Sequence, residues 1–418
     1  SKLKTQLEMC KRDTGRFSRL YLACQSREGR VDDFFAHENQ PFPPSLSQGG
    51  SFRSCKKSDV VGCMLKDDIA TPSCLPLVDA IVLDGSAVVH MLDPKSSKTF
   101  SDYIHNIFIP FIQAQLSRTQ RVDVVFDVYQ ATSLKQGIRQ RRGTGKRRRV
   151  EPTSIVPTKQ WKDFLRVDAN KTELFELLVS SIAAMAVGNK RVFSTCGAEV
   201  LSSDSAFNLA NFSPCSHEEA DARLILHAHH AANANLKNIA IRTVDSDVVV
   251  IAVSAYTSIG ADQLWVHYGT GRNITFIPIH EIARSLTPLQ CQALPFFHAF
   301  TGCDTVPFFV CRGKRTAWDL WQTFPDVTEA FTECLQESDA LSPECVALLE
   351  RFVILLFDRT SGSVDINEAR KLIFTQKRRS LENVPPTKAA LEQHIKRVYG
   401  QRQPAQHQFL LTRVSGDG

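Results

Sequence analysis

The stretch VDAIVLD at Val78–Asp84 decides the fold, because an apolar β-type run ends there in an aspartate. The same arrangement recurs where Val122–Phe126 precedes Asp127 and where Asn238–Val244 precedes Asp245. Helical patterns separate these runs. Strands that alternate with helices along the chain predict an α/β fold, in which a mainly parallel central sheet is flanked by helices.

The rest of the chain divides by periodicity and composition, and becomes mostly helical after Ile279. We expect further strands at Gln263–Tyr268 and Asn273–Pro278, and helices at Ser101–Leu116, Lys171–Val187 and Glu218–Ala231. A stretch rich in Pro, Ser and Gly at Gln40–Ser54 is typical of a loop. The predicted domains are a weakly ordered N-terminal extension at 1–75, an α/β domain at 76–322, a helical C-terminal region at 323–400 and a flexible tail at 401–418.

The composition excludes several classes of protein. Of the 418 residues, 43% are hydrophobic and 22% are charged, and the mean hydropathy is −0.16, which excludes collagen and a fully disordered chain. No apolar run approaches the roughly 20 residues that cross a bilayer. The polar start, Ser1–Arg12, lacks the apolar centre of a secretory signal. We therefore expect no membrane partner.

The spacing of the cysteines bears on the compartment. None of the 12 cysteines belongs to a C-x-x-C pair, and no spacing matches a zinc module. In a long chain without a secretory signal, this pattern predicts reduced thiols and an intracellular location. A metal site formed by Cys55, Cys63 and Cys74 with a histidine is the weaker alternative.

Acidic residues gather where the predicted sheet would bind a ligand. Ligands of open α/β sheets bind at the carboxyl ends of the strands, where Asp84, Asp127 and the pair Asp245 and Asp247 are expected. A single strand-terminal Asp is more often a turn former or a helix cap. Several converging carboxylates repel one another, however, and a bound divalent cation usually offsets that repulsion. The other candidate acids, in HEEAD and TGCD, are Glu218, Glu219, Asp221 and Asp304.

The type of ligand atom indicates the metal and the chemistry. Sites made only of oxygen atoms favour Mg²⁺ or Mn²⁺ over Zn²⁺. Acids sufficient for two ions suggest phosphodiester hydrolysis, in which one ion activates water and both stabilise the charge on the phosphate.

The ordered set of acids resembles the flap endonuclease/XPG-type 5′ nucleases of the PIN-like superfamily. The matching motifs are VLDGS, VFD, acid-Ala-acid, Asp-x-Asp and Gly-Cys-Asp, in family order across Asp84–Asp304. Asp221 stands where the family has a second glutamate. The chain also resembles a group of animal proteins that share the pattern EEAD…DSD…TGCDT.

The resemblance implies a PIN-like fold and a metal-dependent, structure-specific 5′ nuclease that acts on DNA more than on RNA. It implies two Mg²⁺ or Mn²⁺ ions, with Glu218 just behind their ligands. Lys135 and Arg142 match two family cations that contact the scissile phosphate and stabilise the transition state. The implied metal ligands are Asp84, Asp127, Glu219, Asp221, Asp245, Asp247 and Asp304.

Two further regions follow from the same resemblance. Residues 128–190 are expected to form an arch or cap, and residues 302–322 a helix–two-turn–helix-like element that grips duplex DNA. In the Gly-x-Gly hairpin of that element, Cys311 replaces the first glycine and Gly313 is kept. Lys314 and Arg315 are expected to contact phosphates there.

The positive charge is concentrated in one block. The net charge is only +6, yet Lys135–Arg149 contains eight Lys or Arg residues and no acid. Such a run is often a solvated face, but its place directly after Asp127 predicts contact with nucleic-acid phosphates. KRRR at Lys146–Arg149 also matches a nuclear import signal and predicts a nuclear location. The expected nucleic-acid contacts are Lys135, Arg139, Arg141, Arg142, Lys146, Arg147, Arg148, Arg149, Gly313, Lys314 and Arg315.

Other motifs and functions are given less weight. QCQALPFF at Gln290–Phe297 resembles a sliding-clamp-binding peptide but precedes TGCD in an expected core segment, so we predict no sliding-clamp partner. We also expect a monomer. His227, His229 and His230 do not share one helix face, which favours a polar helix surface over a zinc site. The rival function is a PIN-like scaffold that binds nucleic acid or protein without catalysis. A phosphatase would need Asp-x-Asp on the first strand, where Asp84 is followed by Gly and Ser.

Overall fold

The computed structural model describes residues 15, 17–19, 21–22, 24–25, 30–38, 42–66, 69–128, 145–203, 220–336, 340–377 and 380–400. By their contacts, the residues fall into two compact units. Among the described residues, the sheet unit comprises those from 69 to 286, and the helical unit comprises those up to 66 and from 287 to 400.

Among the described residues, two separate sheets contain nine strands. A two-stranded antiparallel pair belongs to the helical unit, and a seven-stranded sheet belongs to the sheet unit, with the strand order β6-β5-β4-β3-β7-β8-β9. The strands are β1 Ser47–Gln48, β2 Ser51–Phe52, β3 Ala80–Asp84, β4 Arg121–Val125, β5 Arg191–Cys196, β6 Glu199–Ser202, β7 Asn238–Thr243, β8 Gln263–Tyr268 and β9 Thr275–Pro278.

The five inner strands of the large sheet, β5, β4, β3, β7 and β8, are parallel. The edge strands β6 and β9 pair antiparallel with their neighbours. Every residue of β3 and β4 is buried, as expected of strands that are covered by helices on both faces. The predicted α/β architecture with a mainly parallel sheet is therefore confirmed.

Helices and one π-helical segment connect the strands of the sheet unit. Pro110, near the start of the helix Ile109–Arg118, cannot donate a backbone hydrogen bond, which accounts for the π-helical segment that interrupts the helix predicted at 101–116. The helical segments are Gly85–Met91, Phe100–Tyr103, Ile104–Phe108 (π), Ile109–Arg118, Thr158–Gln160 (3₁₀), Trp161–Phe164, Asp168–Ala183, Ala220–Asn233, Ser246–Ile259 and Ile279–Ser285.

The helical unit contains the C-terminal helices and confirms the predicted helical C-terminal region. Its core is aromatic: Phe297 stacks on Trp321 at a centroid distance of 4.7 Å, and Phe331 contacts both rings. The clamp-like motif Gln290–Phe297 lies within one of these helices, where Phe296 and Phe297 are buried. The helical segments are Val31–Ala36, Asp59–Met64, Pro288–Phe300, Lys314–Thr323, Val327–Glu333, Pro343–Phe357, Ile366–Lys377, Leu381–Asn383 (3₁₀) and Lys388–Gly400.

The described residues of the N-terminal extension up to Lys66 belong to the helical unit. Phe35, Val60 and Met64 are at most 1% exposed, which differs from the weak order expected for residues 1–75. The contacts divide the chain near residues 66 and 287, whereas the composition predicted limits at 76 and 322. The predicted tail at 401–418 lies outside the described residues. Among the residues described, no helix is both long and apolar enough to cross a membrane.

Candidate metal centre

Three neighbouring parallel strands end at one edge of the sheet. In the order β4-β3-β7, Asp84 pairs in register with Val125, and Leu83 pairs with Arg242. Because the strands are parallel and in this register, Asp127, Asp84 and Asp245 follow at the same carboxyl edge. The fold therefore brings the three strand-terminal acids together, as predicted from the sequence.

Asp84 is the most buried of these acids, at 9% exposure. It caps the helix Gly85–Met91, where its Oδ1 accepts from the backbone amide of Ala87 at 3.0 Å. Its Oδ2 accepts from Thr243 Oγ1 at 3.1 Å. Burial, and then the nearby charge of Asp127, raises the pKa of Asp84 to about 7. The carboxyl is thus fixed in orientation, and a neighbouring positive charge would favour its ionised form.

The residue after Asp84 must be glycine for steric reasons. A Cβ on Gly85 would lie 2.4 Å from the ring of Phe126. The absent side chain lets the start of the helix approach the end of β4, where Asp127 follows Phe126. Gly85 therefore brings the Asp84 and Asp127 carboxylates close enough for the charge interaction described above.

Asp127 connects the strand edge to the next part of the site. Its Oδ2 accepts from Ser86 Oγ at 2.8 Å, and its Oδ1 accepts from the backbone amide of Ala220 at 3.3 Å. Ala220 begins the helix Ala220–Asn233, whose second residue is Asp221. Asp127 thus holds in place the end of the helix that carries another predicted ligand.

Asp221, Asp245 and Asp247 form the tightest acidic group. Each is half-buried and offers a carboxylate oxygen, and these oxygens lie within 4.8 Å of one another. Asp245 caps the helix Ser246–Ile259 by accepting from the amide of Asp247 at 2.9 Å. Its own amide donates to Thr243 Oγ1 at 3.1 Å. Thr243 therefore links this group to Asp84.

The donor set fits hard divalent cations. The five described acids supply only oxygen ligands, and their mutual repulsion is the kind that a bound cation offsets. Hydrogen bonds to Asp84, Asp127 and Asp245 fix the carboxylates without neutralising them. The geometry is suited to binding a hard divalent cation.

Asp304, the last acid of the predicted set, belongs to the helical unit. Its Oδ2 accepts from Lys57 Nζ at 2.9 Å, and the Cys55 thiol donates to the carbonyl of the nearby Gly302 at 3.4 Å. Its part in a metal site stays a prediction. Several other predicted site residues lie outside the described residues, namely Lys135, Arg139, Arg141, Arg142, Glu218 and Glu219.

The hairpin region of the helical unit corrects one prediction. Lys314 is 1% exposed, and its Nζ donates to the carbonyl of His298 and to Thr301 Oγ1. A buried ammonium with these partners cannot serve as the expected phosphate contact. Gly313 and Arg315 are accessible, and Arg315 donates to the carbonyl of Gly62 at 3.3 Å.

Cys311 keeps the backbone conformation that the replaced glycine would favour, since its φ is +56°. A residue with a side chain costs about 1–2 kcal/mol in this left-handed region. A substitution by glycine recovers only part of that cost, because glycine is more flexible in the unfolded chain. We expect Cys311→Gly to raise the free energy of unfolding by about 0.5–1 kcal/mol in urea denaturation. Cys311→Ala removes the thiol but keeps Cβ, so it should bring no such gain; equal stabilisation by both variants would contradict this explanation.

A buried ionic network lies behind the acidic edge and was missed from the sequence. Arg121 forms a bidentate pair with Asp123, with both distances 2.6 Å, and both side chains are fully buried. His227 Nδ1 bonds Asp123 at 2.6 Å, and Arg121 donates to His230 at 2.8 Å. The side chain of His227 is buried, so the prediction that it lies on a polar helix surface is wrong. The signal in the sequence was an Arg and an Asp inside an apolar strand.

The network fixes the helix that carries Asp221 against β4, which leads to Asp127. Burial alone would raise the pKa of Asp123, but Arg121 and His227 outweigh it and lower the pKa to about 2. Burial also lowers the pKa of His227. The neutral His227 ring therefore donates Nδ1–H to an ionised Asp123, and the pair ties helix to strand.

This chain is similar to several solved structures at low sequence identity. No family model matches it, and no curated protein matches it. Among solved structures, a bacteriophage T5 D15 flap endonuclease complex with DNA and metal ions is 11% identical, with 79% of this chain and 99% of the phage chain covered and a TM-score of 0.37. Flap endonuclease-1 from Methanococcus jannaschii is 12% identical, with 80% and 97% covered and a TM-score of 0.33.

A third similar structure is the catalytic core of Rad2 in complex with DNA substrate. It is 15% identical, with 85% of this chain and 98% of that chain covered and a TM-score of 0.37. Likenesses at these identities and TM-scores support no inference by themselves.

Proposed function

We propose that this protein is a metal-dependent nuclease that hydrolyses phosphodiester bonds in nucleic acid. The main support is that carboxylate oxygens of Asp221, Asp245 and Asp247 lie within 4.8 Å of one another. Asp84 and Asp127 lie at the same edge of the sheet. Oxygen ligands at such an edge suit hard divalent cations. We further propose the structure-specific 5′ nuclease type, with DNA preferred over RNA, and two Mg²⁺ or Mn²⁺ ions.

Each described acid has a definite task in this proposal. Asp221, Asp245 and Asp247 supply the metal ligands on one side of the metal centre. Asp84 and Asp127 supply the ligands on the other side. The hydroxyls of Thr243 and Ser86 keep the carboxylates of Asp84 and Asp127 directed toward the centre. Bound ions would supply an activated water and stabilise the charge that develops on the phosphate.

Other residues enter the proposal on the resemblance alone. Glu219 and Asp304 complete the ligand set, Glu218 supports it, and Lys135 and Arg142 position the scissile phosphate. We also propose a monomer with a nuclear location, for which the basic run Lys146–Arg149 is the supporting feature.

A substrate panel tests the proposal. End-labelled 5′-flap, nicked, hairpin and single-stranded substrates, in DNA and in RNA, are incubated with the full chain in Mg²⁺ and in EDTA. We expect cleavage in Mg²⁺ only, with the DNA flap cut fastest. Binding without cleavage of any substrate, in Mg²⁺ or in Mn²⁺, would instead favour the rival interpretation, a catalytically silent scaffold.

A further inference from the structure

The four basic residues at 146–149, in the described end of the basic block, differ in whether an acid pairs with them. Arg147 pairs with Glu173, and Arg149 pairs with Glu151 at 3.0 Å, so an acid compensates each charge. Lys146 and Arg148 alternate with them and are exposed. Within the described ranges, no carboxylate pairs with Lys146 or Arg148. The run is therefore not one uniform solvated face.

Lys146 and Arg148 line a cleft of about 270 Å³ in the sheet unit. Its opposite wall is the segment 160–166, which contributes Gln160, Asp163 and Arg166. Arg148 donates to Gln160 Oε1 at 3.3 Å, and Arg166 pairs with Asp163 at 2.8 Å. Asp163 therefore compensates Arg166, and Lys146 and Arg148 give the cleft an excess of positive charge.

Buried contacts hold the two walls together. Asn170 is fully buried; its Oδ1 accepts from the amide of Arg148 at 2.9 Å, and its Nδ2 donates to the carbonyls of Lys146 and Phe164, each at 3.0 Å. A Cβ on Gly145 would lie 2.2 Å from the carbonyl oxygen of Asp163, so only glycine allows this approach. The positions of the cations are therefore set by the fold.

The cleft is also tied to the acidic edge of the sheet. Trp161, in the same wall, donates its indole N–H to the carbonyl of Val89 at 3.2 Å. Val89 lies in the helix that begins directly after Asp84, about 7.5 Å along its axis at 1.5 Å per residue. The segment that forms this wall of the cleft is thus anchored to the helix that starts at the metal centre.

We propose that Lys146 and Arg148, with Gln160, form a subsite for the phosphodiester backbone of one nucleic-acid strand. Exposed cations and a neutral amide donor recognise phosphate oxygens without reading the base sequence. The small volume suits one or two phosphate groups and not a base-paired helix. Arg147 and Arg149 do not line the cleft, so the subsite contains only some of the nucleic-acid contacts that were expected from the sequence. The inference deepens the proposed nuclease function and names where its substrate strand is held.

The test measures binding without cleavage. The full chain carrying Asp245→Asn is titrated in EDTA with a fluorescent single-stranded DNA, and the anisotropy is recorded over a series of salt concentrations. Adding Lys146→Ala and Arg148→Ala together should weaken binding at least about tenfold. The slope of log affinity against log salt should become shallower by about 0.7 for each phosphate that the variant no longer neutralises.

Lys159→Ala with Lys162→Ala is the matched control, because it removes two exposed positive charges beside the cleft from residues that do not line it. It should change the affinity less than about twofold. Gln160→Glu places a carboxylate against the cleft and removes none of its cations, so it should also weaken binding even if the variant that lacks Lys146 and Arg148 folds poorly. An unchanged affinity in Gln160→Glu, or an equal loss in the control, would overturn the subsite. Because the assay measures binding and not cleavage, its result can be interpreted even if the protein proves not to be a nuclease.

Discussion

Asp245→Asn is expected to lower Mg²⁺-dependent cleavage of a 5′-flap DNA by about a thousandfold, because loss of metal-based charge stabilisation costs several kcal/mol in the transition state. The substitution removes one negative charge from the group formed with Asp221 and Asp247. The amide oxygen of Asn can still accept from the backbone of residue 247, so the helix cap is retained. Single-turnover rates measure the effect, and thermal denaturation checks that the fold is kept.

Asp262→Ala provides the control for this prediction. Asp262 is an exposed acid directly before β8, at the opposite, amino-terminal edge of the same sheet. Its loss removes the same charge from the same unit, and cleavage should stay within about twofold of the wild type. Full activity in Asp245→Asn, or equal losses in both variants, would show that the sheet edge is not the catalytic centre.

Asp123→Ala is expected to lower the free energy of unfolding by about 3–5 kcal/mol, since it leaves the guanidinium of Arg121 buried without its partner. Urea denaturation measures this loss. In the double variant Arg121→Met with Asp123→Leu, both charges are replaced by apolar groups, and the loss should be much smaller. A double variant as unstable as Asp123→Ala would show that packing, and not an uncompensated charge, causes the instability.

The same network gives the fold an acid-sensitive element. Asp123 has its pKa lowered to about 2 from an ordinary value of 3.8, because Arg121 and His227 outweigh the effect of burial. Its stabilising contribution is therefore complete above about pH 4 and is lost as the pH falls toward 2, by about 2 kcal/mol. The stability of the Arg121→Met, Asp123→Leu variant should lack this part of the pH dependence.

Much of the sheet was predictable because its inner strands are apolar and end in acids. The runs before Asp84, Asp127 and Asp245 gave the three central strands to within two residues, and β8 was predicted at its observed bounds. β5 and β6 were missed: Ser194 and Thr195 are buried in β5, and β6 is a short edge strand, so neither shows a clear apolar pattern. Periodicity detects strands by apolar side chains and fails where polar ones are buried.

The candidate site was predictable for a similar reason, and only in part. Strand ends in a parallel sheet share one edge, so Asp84, Asp127 and Asp245 could be placed together from the sequence. The burial of Lys314 and the separate partners of Arg147 and Arg148 depend on contacts between distant segments, which no local pattern encodes. Side-chain environment, and not residue type, decided which cations were available to a ligand.

Anomalous diffraction from crystals of this protein soaked in Mn²⁺ would locate the bound metal directly. We expect two manganese peaks at the carboxyl edge of the sheet, one bound by oxygens of Asp221, Asp245 and Asp247 and one near Asp84 and Asp127. Both peaks should be weakened or lost in Asp245→Asn. An edge without manganese, in crystals where Mn²⁺ binds elsewhere on the protein, would contradict the proposed metal centre.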